Sequence, residues 1–166
     1  MIMTKEQTVT VGLGDVCVVN DPSVVLACFG LGSCVSVCAY DPVARVAGMT
    51  HIVLPESDHS NRDRVSAKYA DIAVPTLLED MYKNGALKRN LVVKLVGGAQ
   101  MLQAAGFDGA LEMGARNVET AKRVLANEGI RPSATDTGGN QGRSVWLSVD
   151  SGKVMVRTAG TELKEL

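Results

Sequence analysis

The stretch that decides the fold covers residues 24–54 and reads VVLACFGLGSCVSVCAYDPVARVAGMTHIVL. Three apolar runs of strand length lie in it, at 24–29, 34–40 and 44–54. A glycine-rich break separates the first two runs, and Asp41-Pro42 separates the last two with residues typical of turns. Short apolar runs bounded by turn residues are typical of buried strands, so the stretch predicts consecutive strands that include a hairpin.

The flanking sequence continues this mixture of strands and helices. Further strands are predicted at 9–13, 16–20, 91–96, 130–135, 144–149 and 154–158. Helical spacing of apolar residues begins near Val65 and continues to Gly85, with a kink or a division into two helices expected at Pro75. Asn117 is expected to cap a second helix. Because the elements do not alternate regularly, we predict an α+β fold, a layered sandwich of mixed β-sheets packed against helices, in a single domain over residues 1–166.

Composition and charge exclude several classes of protein. Seventeen basic and 18 acidic residues give a net charge of −1, too little to attract nucleic acid or an anionic membrane in general. The start of the chain lacks the pattern of a signal peptide, and no apolar run reaches the length of about 20 residues that spans a bilayer. We therefore expect a cytoplasmic protein without membrane insertion, whose four cysteines are free thiols.

The turn before Cys34 has the composition of a nucleophile site. Gly30 and Gly32 allow unusual backbone conformations and leave space in which a substrate can approach the thiol. Successive N–H groups around Ser33 and Cys34 can converge on one point, as an oxyanion site requires, and the Ser33 hydroxyl could assist them. This arrangement predicts a nucleophilic cysteine.

His51 is the candidate base for this thiol, because a cysteine with an ordinary pKa of about 8.5 needs one near neutrality. A hairpin about Asp41-Pro42 pairs residues whose numbers sum to about 85, which places His51 directly opposite Cys34. The other histidine, His59, lies in a polar segment and is expected at the surface.

Each of these residues also has a structural explanation. A strand cysteine is usually a small buried hydrophobic residue, which is our interpretation of Cys17 and Cys38, and a strand histidine is usually bonded to a carbonyl. Zinc binding is an alternative function for a set that includes the same residues: Cys28, Cys34, Cys38 and His51. The spacings disfavour it, since no CxxC pair occurs, and we predict no metal site.

Several runs resemble the CheD family of chemoreceptor glutamine deamidases. They are GLGSCVSVCAYDPVARVAGMTHIVLP, KYADIA, KLVGGAQML, GARNVETAKRVL and DTGGNQGRSVWLSVDSGKVMVRT. The resemblance implies a fold similar to the catalytic domains of deamidating toxins. It also implies hydrolysis of selected glutamine side chains of methyl-accepting chemotaxis receptors to glutamate without a cofactor, and binding to the CheC phosphatase.

Carried over by position, the family nucleophile falls on Cys34 and the family base on His51. The third catalytic position, usually threonine in the family, is occupied by Cys28. A thiol is a weaker hydrogen-bonding group than a hydroxyl, although a backbone carbonyl can also orient an imidazole. The alternative is therefore a non-catalytic CheD-like binding protein that regulates CheC or the receptors.

The run DTGGNQGR, from Asp136 to Arg143, is the other concentrated motif. Its glycines (Gly138, Gly139 and Gly142) and Asn140 suit a tight turn, and loop geometry alone explains them. As functional residues, Gly30, Gly32, Asn140 and Arg143 are expected to contact the substrate. Arg116 and Asn117 pose the same choice, with helix capping favoured for Asn117.

Overall fold

The structure is a computed structural model that describes residues 6–58, 66–101 and 112–166. Its strands over these residues are β1 (Gln7–Thr10), β2 (Val16–Val19), β3 (Val24–Leu31), β4 (Val35–Asp41), β5 (Val46–Thr50), β6 (Val92–Gly97), β7 (Ala134–Thr137), β8 (Arg143–Ser148), β9 (Val154–Thr158) and β10 (Lys164–Glu165). The helices are α1 (Ala70–Lys83) and α2 (Met113–Asn127), and Lys88–Asn90 form a 3-10 turn.

The strands form two five-stranded sheets. The order of the outer sheet is β1-β3-β8-β9-β10, and that of the central sheet is β2-β5-β4-β6-β7. Each sheet is mixed, because β1 runs parallel to β3 and β6 runs parallel to β7 while the other neighbours are antiparallel. One apolar core lies between the sheets, and another lies between the central sheet and the helices. The predicted layered α+β fold is confirmed.

β4 is the middle strand of the central sheet, and all seven of its residues are buried. Val37 and Ala39 face the helices, whereas Cys38 and Tyr40 face the outer sheet. A strand that is covered on both faces needs apolar side chains at successive positions. This requirement explains the uninterrupted apolar run that the sequence shows here.

The first two strands lie in different sheets. β1 pairs with β3 of the outer sheet, and β2 pairs with β5 of the central sheet. The chain crosses between the sheets after β1, where Val11 is buried and its N–H donates to the carbonyl of Ala27 at 2.8 Å. This crossing brings the backbone of Val11 into the core between the sheets.

The hairpin of β4 and β5 has a register different from the predicted one. Paired residues sum to 87, as in Cys38 with Met49, rather than to 85. The loop is longer than expected because the Asp41 carboxylate accepts the N–H groups of Val43 and Ala44 at 2.8 and 2.9 Å. A shift of two residues keeps every side chain on its expected face, whereas a shift of one would reverse them all.

Helix α1 begins at Ala70, later than the predicted start near Val65, which itself lies outside the described residues. Before the helix, residues 67–68 form a turn and Tyr69 is extended, and the Lys68 carbonyl accepts the N–H groups of Val53 and Leu54 at 2.8 and 2.9 Å. Pro75 lies inside one continuous helix rather than between two. As the sixth residue of the helix it has no N–H to donate, which removes one helical hydrogen bond, to the Asp71 carbonyl.

Two further boundaries differ from prediction. The strand expected at 130–135 begins at Ala134, since Ile130 packs into the core beside the helices and Pro132 has no N–H for a ladder. Helix α2 begins at Met113, so Asn117 lies within the helix and does not cap it. Neither helix in the described ranges is long and apolar enough to cross a membrane.

Gly114 tests the close approach of α2 to the segment after β6. A Cβ at Gly114 would lie 2.5 Å from the Ala99 carbonyl oxygen and 2.6 Å from that of Gly98, both backbone atoms. We expect Gly114→Ala to lower the free energy of unfolding by about 2 kcal/mol through overpacking, although alanine is the better helix former. Urea unfolding measures the change, with exposed Lys122→Ala as the control. A more stable Gly114→Ala protein would contradict the contact.

Candidate active site

The glycine turn between β3 and β4 shapes the approach to Cys34. Gly30 adopts φ +65°, and a Cβ built there would meet no atom within 4 Å. A Cβ at Gly32 would lie 2.7 Å from Met101 Sδ. Gly30 therefore provides the left-handed turn with open space beside it, whereas Gly32 is small because the side chain of Met101 lies against it.

Cys34 immediately precedes β4, and its side chain is half-buried. Burial raises the pKa of the thiol above its ordinary value, and a hydrogen bond from its own N–H only partly opposes this shift. The sulfur therefore carries a proton at neutral pH. Nucleophilic attack by Cys34 consequently requires a base.

His51 follows β5 and is 4% exposed. Its Nδ1 lies 3.0 Å from the carbonyl oxygen of Val11, which can accept only if Nδ1 carries the proton. Its Nε2 is buried and has no hydrogen-bond partner among the described residues. In this tautomer Nε2, the nitrogen without a partner, has the lone pair that can accept a proton.

Cys34 and His51 are diagonal neighbours on one face of the central sheet. The sum of 87 places His51 opposite Ser36, two residues beyond Cys34, so the direct pairing predicted from the sequence is wrong but the shared face is correct. Within the described residues no hydrogen bond joins the thiol to the ring. Diagonal positions remain within reach of a long side chain, and catalytic hydrogen bonds are often longer in a free enzyme.

Cys28 contacts the same acceptor as His51, the backbone carbonyl of Val11. Its Sγ is 3.5 Å from the Val11 carbonyl oxygen and 3.5 Å from Met49 Sδ. Burial raises the pKa of Cys28 to about 12, so this sulfur stays protonated. The group that holds the His51 ring is therefore the Val11 carbonyl. Sequence reasoning did not identify Val11, because a backbone carbonyl leaves no mark on the choice of residue.

The loop between β7 and β8 contains the second sequence motif. Arg143 is 8% exposed, and it donates from Nε to Asp136 Oδ1 at 3.0 Å and from Nη1 to the Gly138 carbonyl at 2.7 Å. The guanidinium therefore bonds groups of its own loop. In this position Arg143 supports the loop and is not exposed to a substrate. Asn140 is exposed in the same loop.

This loop borders the glycine turn between β3 and β4. The N–H of Gln100 donates to the Gly139 carbonyl at 2.7 Å, and a Cβ at Gly142 would lie 3.6 Å from the Leu31 carbonyl oxygen. Because the Ala99 N–H also donates to the Gly32 carbonyl at 2.7 Å, the segment after β6 connects the loop to the turn. The motifs that the sequence separates by a hundred residues therefore lie side by side.

Asn117 contacts the glycine turn between β3 and β4 and does not cap a helix. Its side chain is completely buried, and its Nδ2 donates to the carbonyls of Ser33 and Val53 at 2.9 and 3.0 Å. Arg116, its neighbour, is exposed. The expected capping role of Asn117 is wrong because α2 begins at Met113, one turn earlier.

The other two cysteines, the second histidine and the zinc alternative remain from the sequence analysis. Cys38 is buried in β4 as expected, Cys17 is half-buried in β2, and both are free thiols. His59 lies outside the described residues. Among the residues that are described, no three histidine, cysteine or acidic side chains converge as metal ligands would, so the zinc alternative receives no geometric support.

Alkylation tests the state of the Cys34 thiol. We expect iodoacetamide to label Cys34 before Cys28 and Cys38, since burial raises the pKa of both of these to about 12. Because burial also raises the pKa of Cys34, its labelling rate should keep increasing with pH through the ordinary thiol range near about 8.5. Peptide mass spectrometry over that range measures the rates. A plateau already below about pH 7 would contradict a protonated resting thiol.

Comparisons with known proteins identify the family. A family profile described as "CheD chemotactic sensory transduction" matches residues 53–158. A protein of Thermotoga maritima named "Chemoreceptor glutamine deamidase CheD" is 43% identical over 94% of this chain and 98% of its own length. A "Probable chemoreceptor glutamine deamidase CheD" of Symbiobacterium thermophilum is 41% identical over 99% of this chain and 100% of its own.

A solved structure was also matched, the Bacillus licheniformis hypothetical protein YfiH, with a TM-score of 0.47 and 13% identity over 83% of this chain and 62% of that one. The family profile covers more than half of the chain, and the named relatives match it along almost their entire length. The chain belongs to the CheD family.

Proposed function

We propose that this protein hydrolyses glutamine side chains of chemotaxis receptors to glutamate, with Cys34 as nucleophile and His51 as base. The observation that carries the proposal is the buried, unpartnered Nε2 of His51, on the face of the central sheet that also bears Cys34. The relatives named chemoreceptor glutamine deamidases supply the substrate class.

The first half of the reaction acylates the cysteine. Nε2 of His51 takes the thiol proton, and the sulfur attacks the carbon of the glutamine amide to form a tetrahedral intermediate. The N–H groups of Ser33 and Cys34 stabilise the oxyanion. The imidazolium then donates its proton to the amide nitrogen, the carbon–nitrogen bond breaks, and ammonia leaves a thioester.

The second half of the reaction hydrolyses the thioester and leaves a glutamate side chain on the receptor. His51 takes a proton from water as the oxygen attacks the thioester carbon, and the same oxyanion site stabilises the second intermediate. The carbon–sulfur bond breaks, and the sulfur recovers its proton from the imidazolium. The Val11 carbonyl holds Nδ1 through both halves, so Nε2 faces the reaction at each proton transfer.

The substrate approaches over the glycine turn. The open space at Gly30 admits a side chain, while Met101 and the loop that carries Asn140 border the same turn. A glutamine side chain is long enough to reach a half-buried sulfur from a protein surface. We assign Gly30, Gly32 and Asn140 to the substrate approach, and Arg143 to supporting the loop.

The wider setting belongs to the same proposal. Four free thiols are typical of a reducing cytoplasm and support a cytoplasmic location. The resemblance to the family supports CheC-type phosphatase as a second partner, and the length of the chain supports one domain over residues 1–166.

A specific observation favours one rival function, a binding protein without catalysis. The resting thiol and imidazole form no hydrogen bond within the described residues, and Cys28 occupies a position that is usually threonine in the family. In this alternative the turn would bind receptors or CheC without converting glutamine. Mass measurement distinguishes the two functions.

Purified protein should be incubated with a receptor fragment that a known deamidase modifies. Each converted glutamine adds about 1 Da, because amide nitrogen is replaced by acid oxygen. We expect conversion by the wild type and by Cys17→Ala, which removes a half-buried thiol on β2 opposite Met49. Cys34→Ala should leave the fragment unchanged. Equal masses with wild type and Cys34→Ala would favour the binding function.

The roles of His51 and Cys28 differ in the proposed reaction. His51→Ala should lower kcat by about 10²–10⁴-fold, the usual contribution of a general base. Cys28→Ala should lower kcat by less than about tenfold, because the Val11 carbonyl and not Cys28 bonds Nδ1. Steady-state ammonia release measures both. If the two variants lose activity equally, Cys28 has the orienting role that we assign to Val11.

A further inference from the structure

Beyond the β4–β5 ladder, an isolated bridge between Val35 and Ile52 lies next to Cys34. Val35 and Ile52 exchange two backbone hydrogen bonds, at 3.0 and 2.8 Å. In a regular ladder the next such pair would be Ser33 and Leu54. Leu54 instead donates to Lys68 and accepts from Ala70, at 2.9 Å in each case. The backbone of Ser33 is therefore left without its strand partner.

Groups outside the strand bind the three carbonyls of this turn. The N–H of Ala99 donates to Gly32 at 2.7 Å, and the N–H of Gly98 donates to Cys34 at 2.8 Å. The carbonyl between them, that of Ser33, accepts from Asn117 Nδ2 at 2.9 Å. Asn117 is thus the one side chain, among the described residues, that replaces the missing strand partner.

A trans peptide is planar, and its C=O and N–H point in opposite directions. A bond that holds the Ser33 carbonyl therefore also directs the N–H of Cys34 away from Asn117. The N–H of Ser33 is directed in the same way by the bond to the Gly32 carbonyl. Within residues 6–58, 66–101 and 112–166, neither N–H donates to another residue.

The N–H of Cys34 belongs to the same residue as the sulfur and therefore lies beside it. Two adjacent N–H groups that donate to no other described residue, beside a nucleophile, form the arrangement that an oxyanion requires. Such donors are effective only if their direction is fixed before the reaction, because reorientation would cost free energy during it.

Asn117 is well suited to fix that direction. Its second bond, to Val53 at 3.0 Å, spans to the opposite strand, so one amide group connects both sides of the opening in the ladder. Helix α2 holds the amide firmly, because Gly114 lies against the backbone of Gly98 and Ala99. A completely buried asparagine needs such partners to offset its desolvation.

We propose that Asn117 is a positioning residue for the oxyanion site, which holds the Ser33 and Val53 carbonyls so that the N–H of Cys34 is aimed at the developing oxyanion. This inference rests on the proposed function and deepens it. The rival explanation is that Asn117 only stabilises the packing of α2 on the central sheet.

Two reactions of the same sulfur separate these explanations. Alkylation by iodoacetamide needs the thiol but develops no negative charge on a carbonyl oxygen, whereas deamidation does. Asn117→Leu, which removes both donors at similar volume, should lower kcat for deamidation by about 10²-fold or more, with KM and the alkylation rate unchanged. Asn117→Ala, a smaller side chain, should act in the same direction. Thr120→Val is the control, a buried residue one turn along α2, and should retain both rates.

Parallel loss of alkylation and deamidation would indicate a distorted turn and overturn the proposal, as would normal deamidation in either Asn117 variant. Failure of the proposed function would look different, since the wild type itself would then convert no glutamine.

A measurement on the wild type needs no variant and no turnover. A peptide aldehyde adds to the Cys34 sulfur and places an oxygen where the amide oxygen would be. The amide proton signals of Ser33 and Cys34 should then shift in NMR spectra, and the side-chain amide protons of Asn117 should exchange slowly with solvent before and after. Fast exchange at Asn117, or unshifted Cys34 signals, would overturn the proposal.

Discussion

The paired hydrogen bonds of Val35 and Ile52 are the constraint on which the site depends. They fix the register of β4 against β5, and that register decides which side chains share a face. Cys34 lies one residue before this pair and His51 one residue before it on the other strand. A slip of one residue would send the imidazole into the core beside the helices, away from the Val11 carbonyl that fixes its tautomer.

Beyond that pair the two strands separate, and other elements bond the backbone on each side of the opening. Leu54 turns toward Lys68, Gly97 and Gly98 adopt positive φ at the end of β6, and α2 supplies an amide from the helical layer. Chemistry at the end of a ladder has an advantage over chemistry within it, because N–H groups there are free of strand partners. The surrounding elements fix the orientation of those free N–H groups.

The strands and layers were predictable because their apolar runs are long relative to their turns, as β4 and β9 show. The pairing of Cys34 with His51 was approximately predictable, since a local hairpin leaves few alternatives. The loop at Asp41 changed the register through side-chain bonds that a sum of residue numbers does not include. The role of the Val11 carbonyl and the contacts of Asn117 were beyond sequence reasoning, because each contact forms through a tertiary crossing and involves a backbone atom.

Desolvation of Cys34 has a consequence for the survival of the protein in oxidising conditions. Peroxide reacts with thiolates far faster than with thiols, and the products beyond sulfenic acid are irreversible. A sulfur that holds its proton until a substrate arrives presents little thiolate to peroxide in the meantime. Cys28 and Cys38 are protected in the same way by deeper burial. Burial therefore gives these three thiols an oxidation-resistant resting state.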